Sequence, residues 1–98
     1  MPALVRIRPA AAAELADAVG WYESRRAGLG SELLVAVAVA IQSAAGSPGR
    51  HPLLHGPVRA ARVRRFPYSV LFIDEPPAIT VLAVFHARRN PLVWHSRA

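Results

Sequence analysis

Residues 68–85 read YSVLFIDEPPAITVLAVF, and this stretch decides the fold. Tyr68 to Asp74 and Ile79 to Phe85 are apolar on successive positions, as expected of central strands covered on both faces. Asp74-Glu75-Pro76-Pro77 between them is made of turn formers, so the two runs are predicted to pair as an antiparallel hairpin. Just upstream, Arg59 to Phe66 alternates, with Ala61 and Val63 pointing one way and Arg62 and Arg64 the other. That pattern predicts a third strand with one charged face.

The segments before this sheet read as helices behind a short first strand. Val5-Arg6-Ile7-Arg8 alternates and predicts a strand. Pro9 ends it and suits the first turn of a helix, where its missing N–H costs nothing. From Pro9 to about Ala27, the residues Ala11, Ala12, Leu15, Ala18, Val19 and Tyr22 form one apolar stripe at helical spacing. Glu14, Asp17, Ser24 and Arg25 lie on the far side, where charge is expected to solvate the helix. Gly28-Leu29-Gly30 closes it.

Val35 to Ile41 alternates and is rich in β-branched residues, which favours a strand. The surrounding apolar stretch, Ser31 to Ala45, is too long for a strand and stops at Gly46-Ser47-Pro48, so a second, mostly buried helix is predicted. Its inner stripe is expected to be Leu34, Val37, Ile41 and Ala45. Gly46 to Pro57, with three prolines and three glycines, is expected to be irregular. The order is β-α-α-β-β-β, an α+β fold. A helical hairpin is expected on one face of a small, mainly antiparallel sheet, with the other face left for function.

At 98 residues the chain is expected to be a single domain, 1–98, ending in a basic tail from 86 to 98. It has no cysteine, which excludes disulfides, thiolate metal sites and cysteine nucleophiles. The longest run free of polar side chains, Leu33 to Ile41, is shorter than the roughly 20 residues of a membrane span. Met1-Pro2-Ala3-Leu4 does not read as a signal peptide, so a cytoplasmic location and no membrane partner are expected.

All 12 basic residues are arginine, and the net charge is +6. Abundant Ala, Arg, Gly and Pro suggest GC-rich coding, a plain reason for the missing lysine. Placement says more. Residues 1–49 hold Arg6, Arg8, Arg25 and Arg26 against Glu14, Asp17, Glu23 and Glu32, which cancel. Residues 50–98 hold eight arginines against Asp74 and Glu75, so the whole surplus of +6 lies there. An anionic or acidic partner is expected for that half.

Four stretches in this order resemble the RelE/ParE toxin superfamily of bacterial type II toxin–antitoxin systems. They are Trp21-Tyr22-Glu23, Gly28-Leu29-Gly30, Arg64-Arg65-Phe66-Pro67-Tyr68-Ser69-Val70, and Val81 to Pro91 with Trp94 beyond. The resemblance implies a small toxin, neutralised by a cognate antitoxin in a hetero-oligomer. It implies DNA gyrase as target in ParE-like members, and ribosome-dependent mRNA cleavage in RelE-like ones.

Arg59, Arg62, Arg64 and Arg65, with Arg88 and Arg89 after the last strand, are the candidate phosphate- or target-binding residues, because planar guanidinium forks match phosphates and carboxylates. The plain alternative is a solvated strand edge on which charge discourages aggregation. If the chain is a nuclease, His86 is the candidate acid or base, with Tyr68 assisting by hydrogen bonding or stacking. RelE-like members use lysines on the equivalent strand and often a tyrosine in the tail; this chain has neither. Arginine is a poor general base and a good phosphate clamp, so the ParE-like reading is favoured. Trp21 and Trp94 are candidate partner-binding residues, with packing within the fold as the alternative for Trp21. His51 and His55, four apart in a proline-rich loop with no third ligand, do not make a metal site. No glycine-rich phosphate loop, serine triad or zinc motif is present, so no metal or cofactor is expected. A basic domain binding nucleic acid without sequence preference is the reading outside the toxin class.

Overall fold

The hairpin of residues 68–85 forms the middle of the sheet. The computed structural model describes residues 3–97. Met1 and Pro2, half of the segment read as lacking a leader, and Ala98 at the end of the tail lie outside the described residues, as does the Leu92 side chain. The elements are β1 (Leu4–Ile7), α1 (Pro9–Arg25), α2 (Leu29–Gly46), β2 (Leu53–His55), β3 (Val58–Arg62), β4 (Tyr68–Glu75), β5 (Ala78–His86) and α3 (Leu92–His95). A 3-10 turn, Pro48–Arg50, follows α2.

The sheet has five strands in the order β1-β5-β4-β3-β2. β1 runs parallel to β5, and every other pairing is antiparallel. This is the expected α+β architecture with one strand more. Leu53–His55 lies inside the glycine- and proline-rich segment that composition marks as loop, and it pairs with β3 at the sheet edge. Its ladder needs backbone groups only, so its side chains carry no alternation to be read.

The helical hairpin covers one face, over a core that includes Ala11, Leu33, Val37, Phe72, Ile79 and Val81. Two residues fix how the helices meet. At Gly28 the backbone has φ +88°, a conformation that glycine adopts without strain. At Gly30 an added Cβ would lie 2.6 Å from the Val19 carbonyl oxygen, so the helices approach only because that position has no side chain. The Glu23 carboxylate accepts the Gly28 and Gly30 N–H groups at 2.9 and 3.0 Å, satisfying donors at the start of α2.

α2 is less buried than its composition implies. Its inner face is Leu33, Val37, Ala40, Ala44 and Ala45, with Ile41 packed alongside. Leu34, expected inside, is 48% exposed, and Val35 and Val39 are 63% and 51% exposed. The expected stripe was thus right at Val37, Ile41 and Ala45 and displaced at Leu34. By length and a mean hydropathy of 1.6, α2 also meets the description of a membrane-crossing helix. Here one side of it is packed on the sheet, and Glu32 and Gln42 interrupt the other.

The second face of the sheet is not open, contrary to expectation. Val58, Leu71, Leu82, Ala83 and Trp94 form a second apolar cluster there, closed by the C-terminal turn. A bulge in β5 sorts the two faces. Leu71 pairs with Ala83 and Phe72 with Val81, which leaves Leu82 as an extra residue. Val81 packs on the helix face, Leu82 and Ala83 on the other, and Val84 returns to the helix face.

Candidate functional site

The bulge aims His86. Without the extra residue, strict alternation from Val81 would send position 86 to the face under Trp94. With it, His86 stands beside Tyr68, its partner across the β4–β5 ladder, on the side of α1. The two rings meet edge to face at 5.0 Å. Tyr68 also contacts Tyr22 at 6.3 Å, and Tyr22 contacts Phe66 at 5.2 Å.

A cleft of about 360 Å³ opens here between α1 and the end of β5, lined by Glu14, Asp17, Trp21, Tyr22, Tyr68, His86 and Arg89 among others. His86 accepts the Arg88 N–H at Nδ1, 3.0 Å away, so the neutral ring carries its proton on Nε2. Burial, with Tyr22 beside it, raises the Tyr68 hydroxyl above its ordinary 10.0, against an opposing pull from Arg89. At neutral pH Tyr68 is therefore a proton donor and not a base.

Glu14 was expected to be a solvating charge, and it is instead an organising one. Its side chain is 11% exposed. β1 ends its pairing at Val81, so the edge of β5 beyond that point lacks a neighbouring strand. Glu14 Oε1 accepts the Val84 N–H at 3.1 Å and an Arg97 N–H at 3.0 Å, and the same Arg97 nitrogen donates to the Leu82 carbonyl at 3.1 Å. Glu14 Oε2 lies 3.4 Å from Arg89. One carboxylate thus joins the first helix, the central strand and the tail. Its partners lie 70 to 83 residues away in sequence, beyond the reach of any local pattern.

The arginines do not form one face. Arg59 points to the helix side and donates to the His51 carbonyl at 2.7 Å, holding the loop before β2. It is committed to structure and not offered to a ligand. Arg62 and Arg64 are exposed, alternating with the buried Ala61 and Val63 as predicted, and make no ion pair among the described residues. Arg65 sits in the β3–β4 turn at φ +71° and pairs with Glu32 at 2.9 Å, sharing it with Arg26. Arg62, Arg64 and Arg65 line a groove of about 520 Å³ between α2 and β3, while Arg89 lines the cleft with His86. Arg88 is exposed in the turn that follows β5.

Trp21 is 52% exposed at the mouth of the cleft, with the Arg25 guanidinium 4.4 Å over its ring. Trp94, expected at a partner surface, is 1% exposed and fills the second core against Phe85. It is a packing residue: the short α3 folds it under the sheet. The loop histidines separate. His51 bonds to Ser43 at 3.1 Å, and His55 stacks on His95 at 4.1 Å. Among the described residues no cluster of three or more His, Cys, Asp or Glu is placed to hold a metal.

The chain superposes on a chain of the chromosomal ParDE TA system from P. aeruginosa with a TM-score of 0.77. The fold is ParE-like. The match covers 88% of this chain and 97% of that one, at 16% sequence identity. A scan against protein-family models and a search of curated proteins each return no match. The expected helical hairpin and mainly antiparallel sheet are both in place, and the Glu23 contacts to Gly28 and Gly30 that join the two helices are an addition to that expectation.

Proposed function

We propose that this chain is the toxin of a type II toxin–antitoxin pair, kept inactive by a cognate antitoxin and arresting growth by binding DNA gyrase in the cytoplasm, without chemistry of its own. The ParE-like fold over nearly the whole chain supports the toxin reading. The observation that carries the choice of target is the divergence of the cations from the imidazole. Metal-free RNA cleavage needs a base at the 2′-hydroxyl, an acid at the leaving oxygen and cations on the same phosphate. Arg62 and Arg64, with no ion pair among the described residues, line one groove and His86 lines another, across the Tyr22–Phe66–Tyr68 ring cluster. Arg89, which does share the cleft with His86, lies against Glu14. A surface of this kind holds a partner better than it cuts one.

The second reading, a ribosome-dependent mRNA endoribonuclease, is favoured by the Tyr68–His86 contact within a cleft of nucleotide-compatible size. Expression of the chain alone separates the two. DNA breaks and an SOS response with intact transcripts are expected, and His86→Ala is expected to remain toxic. Transcripts cut at codon spacing, with toxicity lost in His86→Ala, would replace the gyrase reading by the nuclease one.

A further inference from the structure

Side chains tie the C-terminal turn to the sheet. Its backbone amides bond within the turn: Val93 donates to Asn90, Trp94 and His95 to Pro91, and Arg97 to Trp94. Trp94 plugs the second core, yet its Nε1–H is buried without a hydrogen-bond partner, a donor that water would satisfy if the turn lifted. The plug is therefore held by packing, and a pair of imidazoles braces it. His95 lies flat on His55 of the edge strand β2, with ring centroids 4.1 Å apart and planes 2° from parallel. Trp94 meets both rings edge to face.

The surroundings leave this pair without a counter-charge. Leu54, Phe85, Pro91 and Trp94 line the pocket around it, and none of them ionises. On the neighbouring elements, β3 carries Arg59, held at the His51 carbonyl, and Arg62, in the groove along α2. His51 itself lies against Phe72 on the helix side, and His86 at the end of β5 lines the other cleft. The turn carries Arg88, Arg89 and Arg97, the last two against Glu14. The sheet's two carboxylates, Asp74 and Glu75, sit at the end of β4. No carboxylate forms an ion pair with either ring among the described residues.

We propose that the stacked His55–His95 pair is an acid-sensitive latch on the C-terminal turn. Two neutral rings stack, as does one protonated ring on a neutral one. Protons on both set two like charges in contact with nothing to offset them. The lifted turn separates the rings and accepts both protons, so it binds more protons than the closed one. Closure is thus complete at higher pH and weakens as pH falls through the range in which imidazoles titrate, roughly pH 8 to 5. The same turn brings Arg89 to Glu14 in the wall of the His86 cleft. Its release draws Arg89 away, so acidity sensed at one end of the tail reaches the cleft at the other. The latch holds for either target named above.

The test follows the Trp94 indole N–H in the chain labelled with nitrogen-15, its signal assigned by loss of the other indole in Trp21→Phe. Between about pH 7.5 and 5.5, its exchange with water is expected to rise about ten-fold relative to a free indole at the same pH, with the amide signals of α1 and β4 in place. Replacing both imidazoles by uncharged rings that still stack, His55→Phe with His95→Phe, is expected to abolish that rise, and His51→Gln to leave it intact. Absence of the rise in the unaltered chain would overturn the proposal. So would the same rise in the double variant, which would give it to His86 or Glu14, or a shift of all amides together, which would mean that the whole fold responds. Should the double variant not fold, the ring signals of His55 and His95 decide. They are expected to titrate over the interval in which Trp94 is released, and titration outside it would overturn the latch.

Discussion

Glu14 shows how much of this small fold hangs on one side chain. Its carboxylate satisfies a strand-edge N–H, meets Arg97 from the tail and lies close to Arg89. Hydrogen bonds to a mostly buried charge contribute about 1.5–3 kcal/mol, and an edge N–H left unpaired carries its own cost. Glu14→Ala is therefore expected to lose about 2–3 kcal/mol, seen in thermal unfolding as a fall of about 10–20 °C in a domain of this size. Glu14→Gln keeps an acceptor for Val84 and is expected to lose less. An unchanged Tm in Glu14→Ala would refute the role given to it. Nothing near Glu14 in the sequence separates it from the solvating Asp17, because its partners come from the other end of the chain. Trp94 was misread for the same reason. A tryptophan in a basic tail looks available to a partner until the tail is seen to fold beneath Leu71 and Leu82.

Helices and strands were legible wherever one periodicity dominated. Alternation placed Ala61 and Val63 inside and Arg62 and Arg64 outside, and the hairpin of β4 and β5 followed from its apolar runs and its turn. Three features escaped. β2 is held by backbone pairing within a glycine- and proline-rich segment. The bulge at Leu82 is hidden because β5 is apolar on both faces, so a shifted register leaves no mark in the pattern. The exposure of Leu34, Val35 and Val39 was hidden because α2 is apolar all round, and its composition does not say which side meets the sheet. Gly20 and Gly30 offer a test of the packing. Gly20 lies in the interior of α1 with open space where a Cβ would be, and Gly30 abuts Val19. Gly20→Ala is expected to stabilise by about 0.5–1 kcal/mol through helix propensity alone. Gly30→Ala is expected to destabilise by about 1–3 kcal/mol by forcing the helices apart. Denaturant midpoints that moved in the same direction for both would contradict the close approach.

For the molecule as a whole, the charge surplus of residues 50–98 resolves into places with different tasks. Arg59, Arg89 and Arg97 make contacts within the fold, whereas Arg62 and Arg64, beside the groove along α2, make no ion pair among the described residues. His86 and Tyr68 occupy a separate cleft behind the aromatic cluster. That separation underlies the proposal of a toxin that binds its target and does not cut it. The direct measurement is a supercoiling assay with purified gyrase and the purified chain, run beside a translating extract carrying a defined mRNA. The account predicts inhibited supercoiling with accumulation of cleaved DNA, the same effect from His86→Ala, and intact mRNA. Full gyrase activity, with the mRNA cut in the extract, would contradict it.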